Sequence, residues 1–173
     1  MWVIAEYQQT ALFSLKPATA TASGGKTLLV PTPFAIKMAL LDVAIRAYGL
    51  DAARSMWKWL CNLRVAIRPP QRVVVNNTFI KILRPRRNPA APGSADAGYF
   101  GRTIAYREYA YYDGNFSIAV ETDHAEVVEL LIAINYLGKR GSFIQIARIP
   151  DITETLPREF ILIDGVMAAV SLD

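Results

Sequence analysis

Pro31-Thr32-Pro33-Phe34-Ala35-Ile36-Lys37-Met38-Ala39-Leu40-Leu41-Asp42-Val43-Ala44-Ile45-Arg46-Ala47-Tyr48-Gly49 sets the first unit of the fold. Thr32 brings the hydroxyl that an N-cap needs, and Pro33 suits the first helical position, where its missing N–H is no loss. Ile36, Leu40, Val43 and Ala47 then recur at helical spacing, and Gly49 stops the helix. Upstream, residues 2–15 are rich in β-formers and read as a long strand ended by Lys16-Pro17. Residues 18–27, mostly Ala, Thr, Ser and Gly, connect the two as a loop.

Downstream the pattern repeats with an interruption. Asp51 is placed to cap a shorter helix to residue 60, whose Trp57 and Trp59 read as core or interface anchors. Pro69-Pro70 breaks the chain before a strand over 72–83. Residues 84–102 hold Pro85, Pro89, Pro92, Gly93, Gly98 and Gly101, which predicts a long irregular loop. Strands follow over 103–112 and 116–121, with Asp113-Gly114 between them as a hairpin signal. Asp123 is placed to cap a helix with Val127, Leu130, Leu131 and Ile134 on one face. A strand over 143–149 closes the series. From residue 150 the chain reads as a partly docked tail, with 160–163 and 166–170 apolar enough for strands. The order β-α-β, excursion, β-α-β predicts an α+β, ferredoxin-like (RRM-like) βαββαβ body in a single domain 1–173. The excursion, 81–112, would be an extended β-hairpin thumb, and 150–173 a tail.

Composition narrows the function classes. The chain has 173 residues, 53% hydrophobic and 20% charged, enough apolar matter for a real core. No apolar run approaches the roughly 20 residues that span a bilayer, and the first residues lack the basic region of a signal peptide. One cysteine, Cys61, gives no disulfide framework and fits a reducing cytoplasm. With a single histidine beside it, a His/Cys metal site has too few ligands, and no cofactor is expected. Charge is unevenly spread. Residues 1–80 carry +6, residues 81–107 carry +5 against the lone acid Asp96, and the remainder carries −7. Such polarity suits one face for a polyanion and another for protein neighbours.

Two glycine turns concentrate the candidates. Tyr136-Leu137-Gly138-Lys139-Arg140-Gly141-Ser142-Phe143 sets two cations between glycines able to take positive φ, where a polyanion could be held. The competing reading makes Gly138 the αL cap of the preceding helix. Gly24-Gly25-Lys26-Thr27 echoes that turn in the first half of the chain. It is not a Walker loop, because Ala20 stands where the first glycine belongs and the helix starts too late. It could still receive a backbone phosphate. In 106–112, alternation puts Tyr106 with Glu108 on one face and Arg107 with Tyr109 and Tyr111 on the other, which could stack bases and clamp a phosphate. His124 is the only imidazole, and no nucleophile or oriented acid–base pair accompanies it.

Three of these stretches carry a resemblance. Residues 26–41 resemble the loop into the first helix of CRISPR RAMP proteins. More narrowly they are similar to the Cascade subunit that caps the five-prime handle of the guide RNA, the Cas five family. Arg107-Glu108-Tyr109 with Asp113 resembles that family's strand after its protruding hairpin, and Tyr136-Leu137-Gly138-Lys139-Arg140 its late basic turn. The resemblance implies a non-catalytic RNA-binding subunit of a Cascade-type complex. Its partners would be the guide RNA, neighbouring backbone and large subunits, and target DNA indirectly, with no membrane. Gly24, Gly25, Lys26, Lys37, Arg84, Arg86, Arg87, Arg102, Arg107, Tyr109, Gly138, Lys139, Arg140 and Gly141 are the expected RNA contacts. The alternatives are a guide-processing endoribonuclease of the same fold, with His124 and a tyrosine in acid–base roles, and a protein-interaction module without nucleic acid.

Overall fold

The computed structural model describes residues 1–17, 25–138 and 141–163. Its main sheet holds β1 (Trp2–Gln9), β2 (Arg64–Arg68), β5 (Phe116–Glu121), β6 (Ile144–Ile146), β7 (Asp151–Thr153) and β8 (Ile161–Leu162). Every pairing in it is antiparallel, in the order β6-β1-β5-β2-β8, with β7 also on β1. Helices α1 (Pro33–Tyr48), α2 (Leu50–Leu60) and α3 (Val127–Ile132) complete the body. A separate two-stranded ribbon, β3 (Arg72–Ala90) with β4 (Gly98–Asp113), stands between β2 and β5 in sequence. This is a mixed α+β architecture. No helix among the described residues is long and apolar enough to cross a membrane.

Local chemistry explains α1. Thr32 Oγ1 accepts the Ala35 N–H at 3.1 Å, and Gly49 ends the helix with φ +83°. The α1 residues Ile36, Leu40, Val43 and Ala44 are buried against Val3, Ala5 and Tyr7 of β1, Phe116, Ile118 and Val120 of β5, and the α3 face Val127, Leu130, Leu131 and Ile134. Tyr7 stands fully buried in this layer and donates its hydroxyl to Leu131 O at 2.7 Å.

The opposite face of the sheet is also covered. Register aligns three outward rows, Trp2–Glu121–Arg64, Ile4–Ala119–Ala66 and Glu6–Ser117–Arg68. Phe160, with Leu156, packs on Trp2, Ile4, Ala66 and Ala119 as a second small core. Arg64 pairs with Glu121 at 2.7 Å and lies over the Trp2 ring, while Arg68 reaches Ser117, Glu6 and the Phe160 ring.

Several expectations are corrected. Residues 84–102 are not an irregular loop: the ladder continues to Pro85↔Phe100 and resumes at Ala90↔Gly98 across a register shift. Prolines are tolerated because β3 has an unpaired outer edge, where a missing N–H breaks no ladder. The strand of 72–83 therefore runs to Ala90, and that of 103–112 starts at Gly98. Asp113-Gly114 turns, with Gly114 at φ +104°, but joins two sheets rather than closing a hairpin, since β4 pairs with β3 and β5 with β1 and β2. Asp51 caps nothing: α2 starts straight from Gly49, so Asp51 falls inside its first turn. Asp123 does not cap α3, whose N-cap position is Glu126; its carboxylate faces the N-terminal ammonium at 3.4 Å instead. The first strand stops at Gln9 rather than residue 15, and the strand of 143–149 shrinks to Ile144–Ile146. The tail supplies β7 and β8, while 166–170 lies outside the described residues.

Candidate nucleic-acid interface

The ribbon is fixed to the body at its foot. Past β1 the chain keeps to the β4 edge: Phe13 N–H donates to Ala110 O at 2.9 Å and Ala110 N–H returns to Phe13 O at 2.7 Å. The Gln9 amide bridges sheet and ribbon, donating to Ala110 O at 2.9 Å and accepting the Tyr112 N–H at 2.7 Å. Phe13, Tyr112 and Phe116 meet edge to face with centroids 4.9–6.0 Å apart. The Tyr112 hydroxyl, donating to Leu29 O, is driven well above the usual tyrosine range by burial, as is the Tyr7 hydroxyl.

The first glycine loop docks on the same strand. Glu108 N–H donates to Gly25 O at 2.8 Å, and Glu108 Oε2 accepts the Thr27 N–H at 2.9 Å. Gly25 is buried so tightly that a Cβ would lie 3.1 Å from Tyr106 O and 3.2 Å from Arg107 Cδ. Lys26 beside it is exposed. The second turn reaches the same strand through Gly141 and Ser142. Gly138 and Gly141 have φ of +69° and +107°, as the turn reading requires. The helix-cap reading of Gly138 fails, because α3 ends at Ile132 with Ala133 as its C-cap.

Arg107, Tyr109 and Gly141 meet across a cavity of about 160 Å³, with Leu12, Ser14, Ile80 and Ser142 completing its walls. Of the expected contacts these three converge, with Gly25 and Lys26 adjacent. The others separate. Lys37 donates its ammonium to Cys61 O at 2.9 Å, beyond the end of α2. Arg84 lies opposite Gly101, six residues along the ribbon from the Thr78↔Arg107 pair, or roughly 20 Å away. Arg86 and Arg102 converge on Asp96 at 3.4 and 3.3 Å, and Arg86 lies across Gly101 where a Cβ would collide with it. Arg87 is exposed within the register shift. Gly138 lines a different cavity beside α1. Gly24, Lys139 and Arg140 lie outside the described residues.

Sequence reasoning missed the residues that hold the foot together, Gln9, Phe13, Thr27 and Glu108. It also missed the outer ribbon, where Phe79, Leu83, Phe100 and Ile104 are exposed on one face with Lys81 and Arg102 between them. Alternation along 72–85 was the available signal. Phe79 meets Tyr106 edge to face at 5.5 Å. His124 stacks on Trp59 of α2, centroids 4.3 Å apart. It follows the Glu121 end of β5, whereas the ribbon's foot adjoins the Phe116 end, so roughly 20 Å of sheet separates them.

No family model matches this chain. It is similar to the CRISPR-associated protein Cas5 of Archaeoglobus fulgidus, 24% identical over 155 residues, which is 88% of this chain and 66% of that protein. The resemblance drawn from three short segments thus extends along most of the chain. Among solved structures, a chain of the Type III-B Cmr-beta complex bound to cognate target RNA superposes with a TM-score of 0.60 at 14% identity, over 87% of this chain and 59% of that one. A chain of a CRISPR RNA-guided surveillance complex gives 0.59 at 16% identity, over 89% and 65%. These two share the fold. The chain spans about two thirds or less of the length of each of the three.

Proposed function

We propose that the chain is a non-catalytic RNA-binding subunit of a CRISPR effector complex, holding guide RNA along the β3–β4 ribbon and at its foot. The observation that carries this reading is the convergence of Arg107, Tyr109 and Gly141 on one cavity, beside Gly25 and Lys26. A guanidinium suits a phosphate and a phenol ring suits a base, the pairing that single-strand binders use. On the ribbon's opposite face Phe79 and Tyr106 stand with Lys81 and Arg102, a second set of rings and cations. Similarity to a Cas5 protein and to chains of two CRISPR complexes supports the setting.

In this reading the body is ferredoxin-like, a view supported by the strand order β6-β1-β5-β2 and the two strand–helix–strand crossings. The ribbon is the thumb. The protein caps the five-prime handle of the guide in the cytoplasm and contacts the adjacent backbone and large subunits; target DNA is met through the guide. His124, stacked on Trp59 at the far end of β5, has no part in binding or cleavage.

Anisotropy titration of the full chain with single-stranded CRISPR repeat RNA at several salt concentrations tests this. Arg107→Ala should lower the log–log salt slope by about 0.7, one phosphate contact on a single strand. Tyr109→Ala should cost about 1–3 kcal/mol with little change in slope. Repeat RNA should remain intact with and without His124→Ala. Absence of RNA binding, or binding indifferent to both ribbon variants, would refute the proposal; site-specific cleavage lost in His124→Ala would replace it with the endoribonuclease reading.

A further inference from the structure

We infer that the larger cavity beside α1 receives one unstacked base of the bound RNA. This rests on the RNA reading above and adds where a base is lodged. The cavity measures about 470 Å³, within the range of small-molecule sites and some three times that at the ribbon's foot. Its lining is mostly apolar, with Leu15, Leu28, Met38 and Ala39 among the residues that form it.

Two aromatic side chains, Phe34 and Tyr136, also line it, and neither ring touches another ring among the described residues. Phe34 is 71% exposed although it sits in the first turn of α1, where Ile36 is fully buried. A bare ring at the mouth of a cavity with room for a base is a stacking surface, because every base has a π-face. Lys16 at the rim supplies a cation for the flanking phosphate.

Two polar side chains of the wall are already engaged. Thr32 Oγ1 takes the Ala35 N–H at 3.1 Å, and Asp42 Oδ2 takes the Arg46 Nε–H at 2.8 Å. The mostly apolar cavity therefore reads shape more than a donor–acceptor pattern, with the Tyr136 hydroxyl and the Lys16 ammonium as its remaining polar groups.

The two cavities flank the same two pieces of chain. Leu12, Ser14, Gly141 and Ser142 line the smaller, while Leu15, Lys16, Tyr136 and Gly138 line the larger. Leu137 N–H donates to Ser142 O at 3.1 Å and Ser14 N–H to Ser142 Oγ at 3.4 Å, so turn and segment form one partition. A strand held at Arg107 and Tyr109 reaches Phe34 by crossing that partition, which places both contacts on one short stretch of RNA.

The test is an abasic scan. The shortest single-stranded RNA that binds the full chain at full strength is found by truncation, and each base is then removed in turn. Phe34→Ala should weaken the intact RNA about 5- to 30-fold, and Phe34→Leu, which keeps an apolar side chain without the π-face, nearly as much. One abasic position should cost a similar factor, and combined with Phe34→Ala it should cost no more than either change alone. Additive losses at every position, or full affinity in Phe34→Ala, would overturn the inference while Arg107→Ala still weakened binding. If RNA does not bind the wild-type chain, the underlying function fails as well.

Discussion

Glu108→Ala probes how the first glycine loop is held to the ribbon. The carboxylate accepts the Thr27 N–H at 2.9 Å, while the residue's own backbone N–H donates to Gly25 O and survives the substitution. A hydrogen bond to a charged group contributes about 1.5–3 kcal/mol, and half-burial of this one places it near about 1.5–2. At about 2–4 °C per kcal/mol for a chain of this size, Tm should fall by roughly 3–8 °C. Two effects on RNA oppose each other. Removing a negative charge next to Arg107 relieves repulsion of a phosphate, by about 0.3–0.5 kcal/mol after screening. Freeing residues 25–28 withdraws Lys26 from its place. Glu108→Gln separates them, because the amide oxygen still accepts from Thr27 while the charge is gone. Differential scanning calorimetry with RNA anisotropy should show Glu108→Gln losing under about 3 °C and binding RNA up to about twofold tighter. Glu108→Ala should lose both stability and affinity. An unchanged Tm in Glu108→Ala would refute the clamp, and equal damage from Glu108→Gln would show that charge rather than the acceptor holds the loop.

Burial raises Tyr7 and Tyr112, so their contribution is fully present below about pH 10 and declines above it, as the unfolded chain releases protons that the fold retains. Urea unfolding from pH 9 to 11 should lose about 1.4 kcal/mol per pH unit for each tyrosine above pH 10, and the Tyr7→Phe/Tyr112→Phe double variant should remove that part of the slope. Gly25→Ala forces Tyr106 O and Arg107 Cδ to give way by a few tenths of an ångström, so a loss near about 1 kcal/mol is expected by calorimetry. RNA affinity should fall with it, through Arg107.

Local signals were legible and distant partners were not. Thr32, Pro33 and Gly49 each act within one turn of α1, so the sequence displayed its bounds. The same reasoning failed at Asp51 and Asp123 because a good capping side chain is only a candidate. Gly49 ends α1 and starts α2 at once, leaving no residue between them for a side-chain cap. In 84–102 the prolines argued against a strand, which holds only where both edges are paired; β3 has one neighbour. Asp113-Gly114 signalled a turn correctly, but β4 already had its partner in β3, a choice made 41 residues away at Arg72↔Asp113. Among the site residues, Arg107 and Tyr109 were readable from strand alternation. Glu108, on the opposite face, looked idle because its partner Thr27 lies 81 residues upstream.

The covered sheet decides where a nucleic acid can go. In four-stranded RNA-binding sheets the face opposite the helices carries aromatics that stack bases. Here the aromatic on that face, Trp2, is 5% exposed, and Phe160 and Leu156 close the middle row over Ile4, Ala119 and Ala66. The cations of the same face are committed as well, Arg64 to Glu121 and Arg68 to Glu6 and Ser117. A polyanion approaching there meets engaged guanidinium groups and a segment that carries Asp151, Glu154 and Glu159. At the ribbon the balance reverses: Lys81, Arg84, Arg87 and Arg107 stand along one hairpin, and its acids are engaged, Asp96 by Arg86 and Arg102, Asp113 by Arg72, and Glu108 by the Thr27 N–H. The same chain charge of +4 thus becomes a nearly neutral sheet face and a basic arm, and of these two the arm offers unburied rings beside its cations.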